Sequence, residues 1–130
     1  VNQQNFVPHT HIQKIVCITL LVDINKMIMV KLTKKSTSGT SHFGVKLVTT
    51  PEMLTNLLGE NTYGWNCGDD KVNMGWDCET KDGDVFTIYD YKTYKPLKMD
   101  DVVHWNIGGF SKETTEKGFI EITAMLSQKV

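Results

Sequence analysis

Between Asp82 and Ser111 the chain gathers groups able to do chemistry: Tyr89, Asp90, Tyr91 and Lys92, then His104 and Asn106, then Gly108 and Gly109. A carboxylate and an imidazole are the ordinary partners of general acid–base catalysis. A lysine, and glycine N–H groups ahead of a helix, suit an anion instead. Tyrosines offer flat faces with a polar tip. Which of these chemistries is realised depends on how the segments face one another.

Strand periodicity gives a first answer. Along Phe86-Thr-Ile-Tyr-Asp-Tyr-Lys92, a period of two puts Phe86, Ile88 and Asp90 on one face and Thr87, Tyr89 and Tyr91 on the other. The apolar face belongs to the core, so Asp90 points inward near the strand end and must be paired or hydrogen-bonded. Its plainer role is to accept from backbone amides. In Val102–Ile107, Val103, Trp105 and Ile107 are core, with His104 and Asn106 outward. Parity therefore separates Asp90 from His104 unless a bulge intervenes, which weighs against an acid–base pair. The Ile107-Gly-Gly-Phe-Ser111 segment is expected as a turn into a helix start, where unpaired N–H groups collect.

The elements that position these groups can be read on either side. Thr49-Thr-Pro-Glu-Met-Leu-Thr-Asn-Leu-Leu-Gly59 predicts a short helix with Thr50 as cap, Pro51 in the first turn, Gly59 as terminator and Leu54, Leu57 and Leu58 as the buried stripe. His42–Val48 predicts a strand with Phe43, Val45 and Leu47 on one face. Val72–Cys78 and Val85–Tyr91 alternate around Lys81-Asp-Gly-Asp84, a strong hairpin signal. Ser111 is expected to cap a last helix reaching about Gln128, with Phe119, Ile122, Met125 and Leu126 inward and Gly118 weakening its middle. Lys31–Ser41 is expected as a loop. The fold class is α+β: a mainly antiparallel sheet of three to five strands with two helices packed on one face.

Residues 1–26 are expected to form an extension outside the native domain, with a single domain over 27–130. The chain opens on Val, and Met27 or Met29 is the expected beginning of that domain. The apolar run Ile15–Val22 is too short to span a bilayer.

All 14 basic residues are lysine, so the bidentate guanidinium grip on phosphate or carboxylate is absent from this chain. Any anion site must use lysine, histidine or backbone N–H groups. A net charge of -1 removes the electrostatic drive of a non-specific nucleic-acid binder. The three cysteines, Cys17, Cys67 and Cys78, form no metal set and fit a reduced, cytoplasmic chain. The acids around Asp69–Asp84 do not match a calcium loop and read as solvated hairpin charge. No metal or cofactor is expected. No nucleophile elbow or phosphate-binding loop occurs. Tyr63 and Trp65 are a secondary candidate for an exposed stacking surface.

The order from His42 onward, with Phe-Thr-Ile-Tyr-Asp-Tyr-Lys92 and His104-Trp-Asn-Ile-Gly-Gly109, resembles small uncharacterised proteins of tailed bacteriophages and prophages. That resemblance implies an accessory role and carries over no catalytic residues. The expected function is a non-catalytic binding protein, of counter-defence type, that captures a host protein or a small anionic, nucleotide-like ligand in the host cytoplasm. The alternatives are a small hydrolase-like enzyme using Asp90 and His104, or a structural interaction subunit. Self-association is compatible with all three.

Overall fold

The computed structural model describes residues 30–62 and 72–128. The N-terminal extension, with Met27 and Met29, lies outside the described residues, as do Tyr63, Trp65, Cys17 and Cys67.

Five strands and two helices make an α+β fold. In chain order they are β1 (Lys31–Leu32), β2 (Ser41–Thr49), α1 (Pro51–Leu58), β3 (Gly75–Glu79), β4 (Val85–Tyr89), β5 (Val103–Gly109) and α2 (Lys112–Gln128). The sheet order is β1-β3-β4-β5-β2, with every neighbouring pair antiparallel.

Local signals set the ends of these elements. Thr50 Oγ1 accepts from the Met53 N–H at 3.2 Å and caps α1, and Gly59 ends it at φ 93°. Ser111 Oγ accepts from the Thr114 N–H at 3.1 Å, capping α2. At the β3–β4 hairpin the Gly83 N–H donates to the Thr80 carbonyl at 2.9 Å, with Gly83 at φ 88°, a conformation that favours glycine. Asp-Gly in this turn thus does what its chemistry predicts.

One sheet face carries the core. Trp76, Cys78, Phe86, Ile88, Trp105, Ile107 and Leu47 are buried there with Leu54 of α1 and Ile122 of α2. Trp76 and Trp105 meet edge to face, their centroids 5.4 Å apart. Each indole N–H finds a carbonyl next to α1: Trp76 donates to Gly59 at 2.9 Å and Trp105 to Thr49 at 3.0 Å. Gly118 of α2 packs closely on Phe86 of β4. A Cβ there would stand 2.6 Å from Phe86 Cγ, so the glycine that weakens the helix locally permits its packing.

Several expectations change. The strand expected over Val72–Cys78 runs from Gly75 to Glu79. Lys31–Leu32 is not loop but a short edge strand, held by pairing to Cys78 and Glu79. The strand expected over Val102–Ile107 runs from Val103 to Gly109. The strand expected to reach Tyr91 stops at Tyr89. Phe43 does not join Val45 and Leu47 in the core, because the ladder slips between His42 and Lys46, with Gly44 at φ 87°, leaving Phe43 39% exposed.

Candidate functional site

The second sheet face positions the polar candidates. Register puts Thr87, Tyr89, Asn106, Gly108 and His104 on it, together with Lys46 and Val48 of β2. Its centre is closed by its own side chains, since Thr87 and Asn106 are buried although parity alone reads them as outward. Tyr89 is hydrogen-bonded to the Asn106 side chain, and burial raises its phenol above the ordinary range. A Cβ at Gly108 would meet Thr87 Oγ1 at 2.6 Å and Tyr89 Cε1 at 3.4 Å. The glycine makes room for those two side chains.

Beyond this centre, at the start of β5, lies a cleft of about 370 Å³. Leu97 and Val103, both nearly buried, give it an apolar lining. Lys46 enters from β2, and Tyr91, Thr93 and Lys95 from the segment after β4. Asp101, Val102 and His104 come from the entry to β5. Lys46 pairs with Asn106, and Val48 with His104, so Lys46 and His104 are diagonal neighbours on one face. Among the described residues, neither Lys46 nor Lys95 takes part in an ion pair.

The segment after β4 is held in an unusual conformation. Lys92 and Tyr94 have φ of 57° and 58°, left-handed values that non-glycine residues seldom adopt. Such strain persists where surrounding bonds over-determine it and gathers at functional sites. The bonds are visible here. Asp90, 1% exposed, accepts at Oδ1 from the N–H groups of Asn73 (2.8 Å) and Met74 (3.0 Å), and at Oδ2 from the Asn73 amide (2.9 Å). The same amide donates to the Lys95 carbonyl at 2.9 Å. Asp90 thereby fixes the backbone that presents Lys95.

The structure brings only some of the candidates together. Tyr91 and His104 line the cleft. Asp90 supports it from behind, on the core-facing side, with both oxygens occupied, and does not meet His104. Lys92 places its ammonium 5.4 Å from the Tyr91 ring centroid, and Tyr89 meets Tyr91 edge to face at 6.4 Å. Asn106 is held by Tyr89. Gly108 and Gly109 are not a turn. Both lie inside β5, paired to Thr87 and Phe86 on one side and to His42 and Ser41 on the other. Gly109 leaves space for α2, as its Cβ would stand 3.0 Å from Thr115 Cγ2. The turn into α2 is Phe110–Ser111.

Lys46, Thr93, Lys95 and Asp101 escape sequence reasoning. For Lys46 the only signal is its alternation against Val45 and Leu47, which marks it outward without saying that β2 lies beside β5. Asp101 reads as one of two loop acids, whereas its Oδ2 accepts from the Lys98 N–H at 2.8 Å in a turn leading into the cleft.

Away from the cleft, the Cys78 thiol is free and buried, and burial pushes its pKa far up, leaving it unsuited to nucleophilic work. Among the described residues no histidine, cysteine and carboxylate group forms a metal cluster. No described helix is long and apolar enough to cross a membrane. No family model matches the chain, and neither a curated protein nor a solved structure matches it.

Proposed function

We propose that this chain is a non-catalytic binding protein that captures a small anionic ligand in the cleft between β2, the entry to β5 and the segment after β4. The accessory, counter-defence role implied by its resemblance to small phage proteins is part of the same reading. The observation that carries it is the convergence of Lys46, Lys95 and His104 on one cleft with Tyr91 at its side. Lys46 and Lys95 line one cleft and, among the described residues, neither is in an ion pair, so both gain from a shared anion. The buried Asp90–Asn73 clamp pre-organises one of them, which lowers the ordering cost of binding. Asp90, hydrogen-bonded at both oxygens and facing the core, is not placed to partner His104 as the enzyme reading requires.

The test uses inorganic phosphate as probe at low ionic strength, followed by amide chemical-shift changes. Saturable shifts confined to residues 91–104 and the neighbourhood of Lys46, weakened by added salt and lost in Lys46→Ala and Lys95→Ala, are expected. Scattered or non-saturating shifts would remove the proposal.

One observation favours a protein partner as a second reading. Val102, 68% exposed, lines the cleft, and Tyr94, 74% exposed, lies in the chain between the lining residues Thr93 and Lys95, so exposed apolar surface accompanies the cleft. Under that reading Tyr94→Ser and Val102→Ser abolish partner capture while phosphate shifts persist.

A further inference from the structure

The cleft carries more information than its positive charge, because one carboxylate stands among the cations. Asp101 lines the same space as Lys46, Lys95 and His104, and its carboxylate accepts at Oδ2 from the Lys98 N–H, while its own backbone N–H donates to the Lys98 carbonyl. Oδ1 is left with acceptor capacity. A carboxylate repels an anion, and toward inorganic phosphate this is offset only by the P–OH donors that phosphate keeps near neutral pH. A carboxylate beside an anion subsite is useful where the ligand carries hydroxyl donors next to its charged group, because an ionised carboxylate accepts such hydrogen bonds strongly. Thr93 adds a hydroxyl able to donate or accept in the same space.

Charge and size narrow the class. Lys46 and Lys95 against Asp101 leave a net charge of +1. A phosphate monoester, carrying about −1.5 to −2 near neutral pH, is attracted by this lining, whereas a zwitterionic amino acid would leave it uncompensated. Lysine serves phosphate well as a point charge, and no arginine is present to favour planar carboxylate recognition. The volume, about 370 Å³, is at the lower end of the range for small-molecule sites and suits one compact ligand. The apolar lining by Leu97 and Val103 suits the carbon face of a sugar ring.

Resting on the anion-capture reading above, we infer that the cleft is a binding site for a phosphorylated polyol, the chemistry shared by sugar phosphates and nucleoside monophosphates, with the phosphate on Lys46, Lys95 and His104 and the hydroxyls on Asp101 and Thr93. Asp101 then acts as the specificity residue. It selects against inorganic phosphate and in favour of the hydroxyl-bearing ester.

Calorimetric titration of the full chain separates the two levels of the argument. The probes are inorganic phosphate, ribose 5-phosphate, adenosine 5′-monophosphate and glycine, against the parent, Asp101→Asn and Lys46→Ala. Ribose 5-phosphate is expected to bind at least about tenfold more tightly than inorganic phosphate, the scale of one charge-assisted hydrogen bond. Asp101→Asn should remove most of that advantage while leaving inorganic phosphate unchanged or better bound, and Lys46→Ala should weaken both esters and phosphate. A further gain for adenosine 5′-monophosphate assigns the site to nucleotides, and equal binding assigns it to sugar phosphates. Equal affinities for phosphate and ribose 5-phosphate in the parent would overturn the polyol assignment while leaving anion capture standing. So would tighter binding of glycine, or a loss of phosphate binding in Asp101→Asn. Absence of binding by every phosphate probe would overturn both. Because Asp101 also holds the Lys98 N–H, Asp101→Ser serves as a second variant with a shorter acceptor, and the same loss of ester preference is expected.

Discussion

Asn73 and Asp90 close on each other at two points: the Asn73 backbone N–H donates to Oδ1 at 2.8 Å and its side-chain amide to Oδ2 at 2.9 Å. The pair is buried and ties the approach to β3 to the departure from β4. Through the bond from the same amide to the Lys95 carbonyl it also sets the wall of the cleft.

Asp90→Asn should therefore act on stability. The new amide turns donors toward Asn73 or Met74 N–H groups that themselves donate, leaving buried polar groups unmatched. A loss of about 2–3 kcal/mol is expected in urea denaturation. A change below about 0.5 kcal/mol would show that the clamp is dispensable.

Gly118→Ala tests packing against propensity. Alanine is favoured in a helix interior by about 1 kcal/mol. Its Cβ would fall within 2.8 Å of three ring carbons of the fully buried Phe86, and overpacking typically destabilises by about 1–3 kcal/mol. Net destabilisation is expected in thermal unfolding, and the double variant Gly118→Ala/Phe86→Leu should be less affected than the two single changes added together.

Lys117 bridges α2 to the hairpin, 2.7 Å from Asp82 Oδ2 and 2.8 Å from Asp84 Oδ2. The hydrogen bond and charge of Lys117 hold the Asp82 carboxyl below its ordinary range. A lowered folded-state pKa gives stability that is present above the unfolded value, near 4, and is lost as pH falls through the folded value. Lys117→Met should flatten the decline of the urea midpoint between pH 5 and pH 2 by removing that contribution at the upper end. An unchanged pH profile would show that the bridge is fully screened.

Tyr89 offers a spectroscopic readout of the closed centre of the second face. Its phenol is raised chiefly by burial, partly opposed by the bond from Asn106. Absorbance titration of tyrosinate should show one transition above the ordinary phenol value near 10, absent in Tyr89→Phe. Neutral Tyr89 is favoured by the folded state, so its contribution to stability is full below the unfolded value and disappears at higher pH. If Tyr89→Phe instead loses amplitude only at the ordinary phenol value, the ring is solvated.

Much of the fold was legible because its signals are local. Thr50, Pro51 and Gly59 bound α1, Ser111 starts α2, Asp82-Gly83 turns the hairpin, and two-residue alternation marks the core face through Trp76, Phe86, Ile88, Trp105 and Ile107. The same parity reads Asp90 inward and His104 outward, and Asp90 is buried while His104 is exposed.

The remaining features depend on contacts between residues far apart in the chain. Placing β2 beside β5 brings Lys46 to His104, and no periodicity specifies a strand's neighbour. The closed second face buries Thr87 and Asn106 through the Tyr89 ring, which alternation alone reads as exposed. Gly108 and Gly109 read as a turn because glycine is permissive, yet they serve a strand where Thr87 and Thr115 need the space of a missing Cβ. The α+β class, the caps and the turn are written in the chain, because backbone conformation is governed by near neighbours. The cleft and its charge arose only when the sheet closed, because side-chain proximity across strands is a property of their order and register.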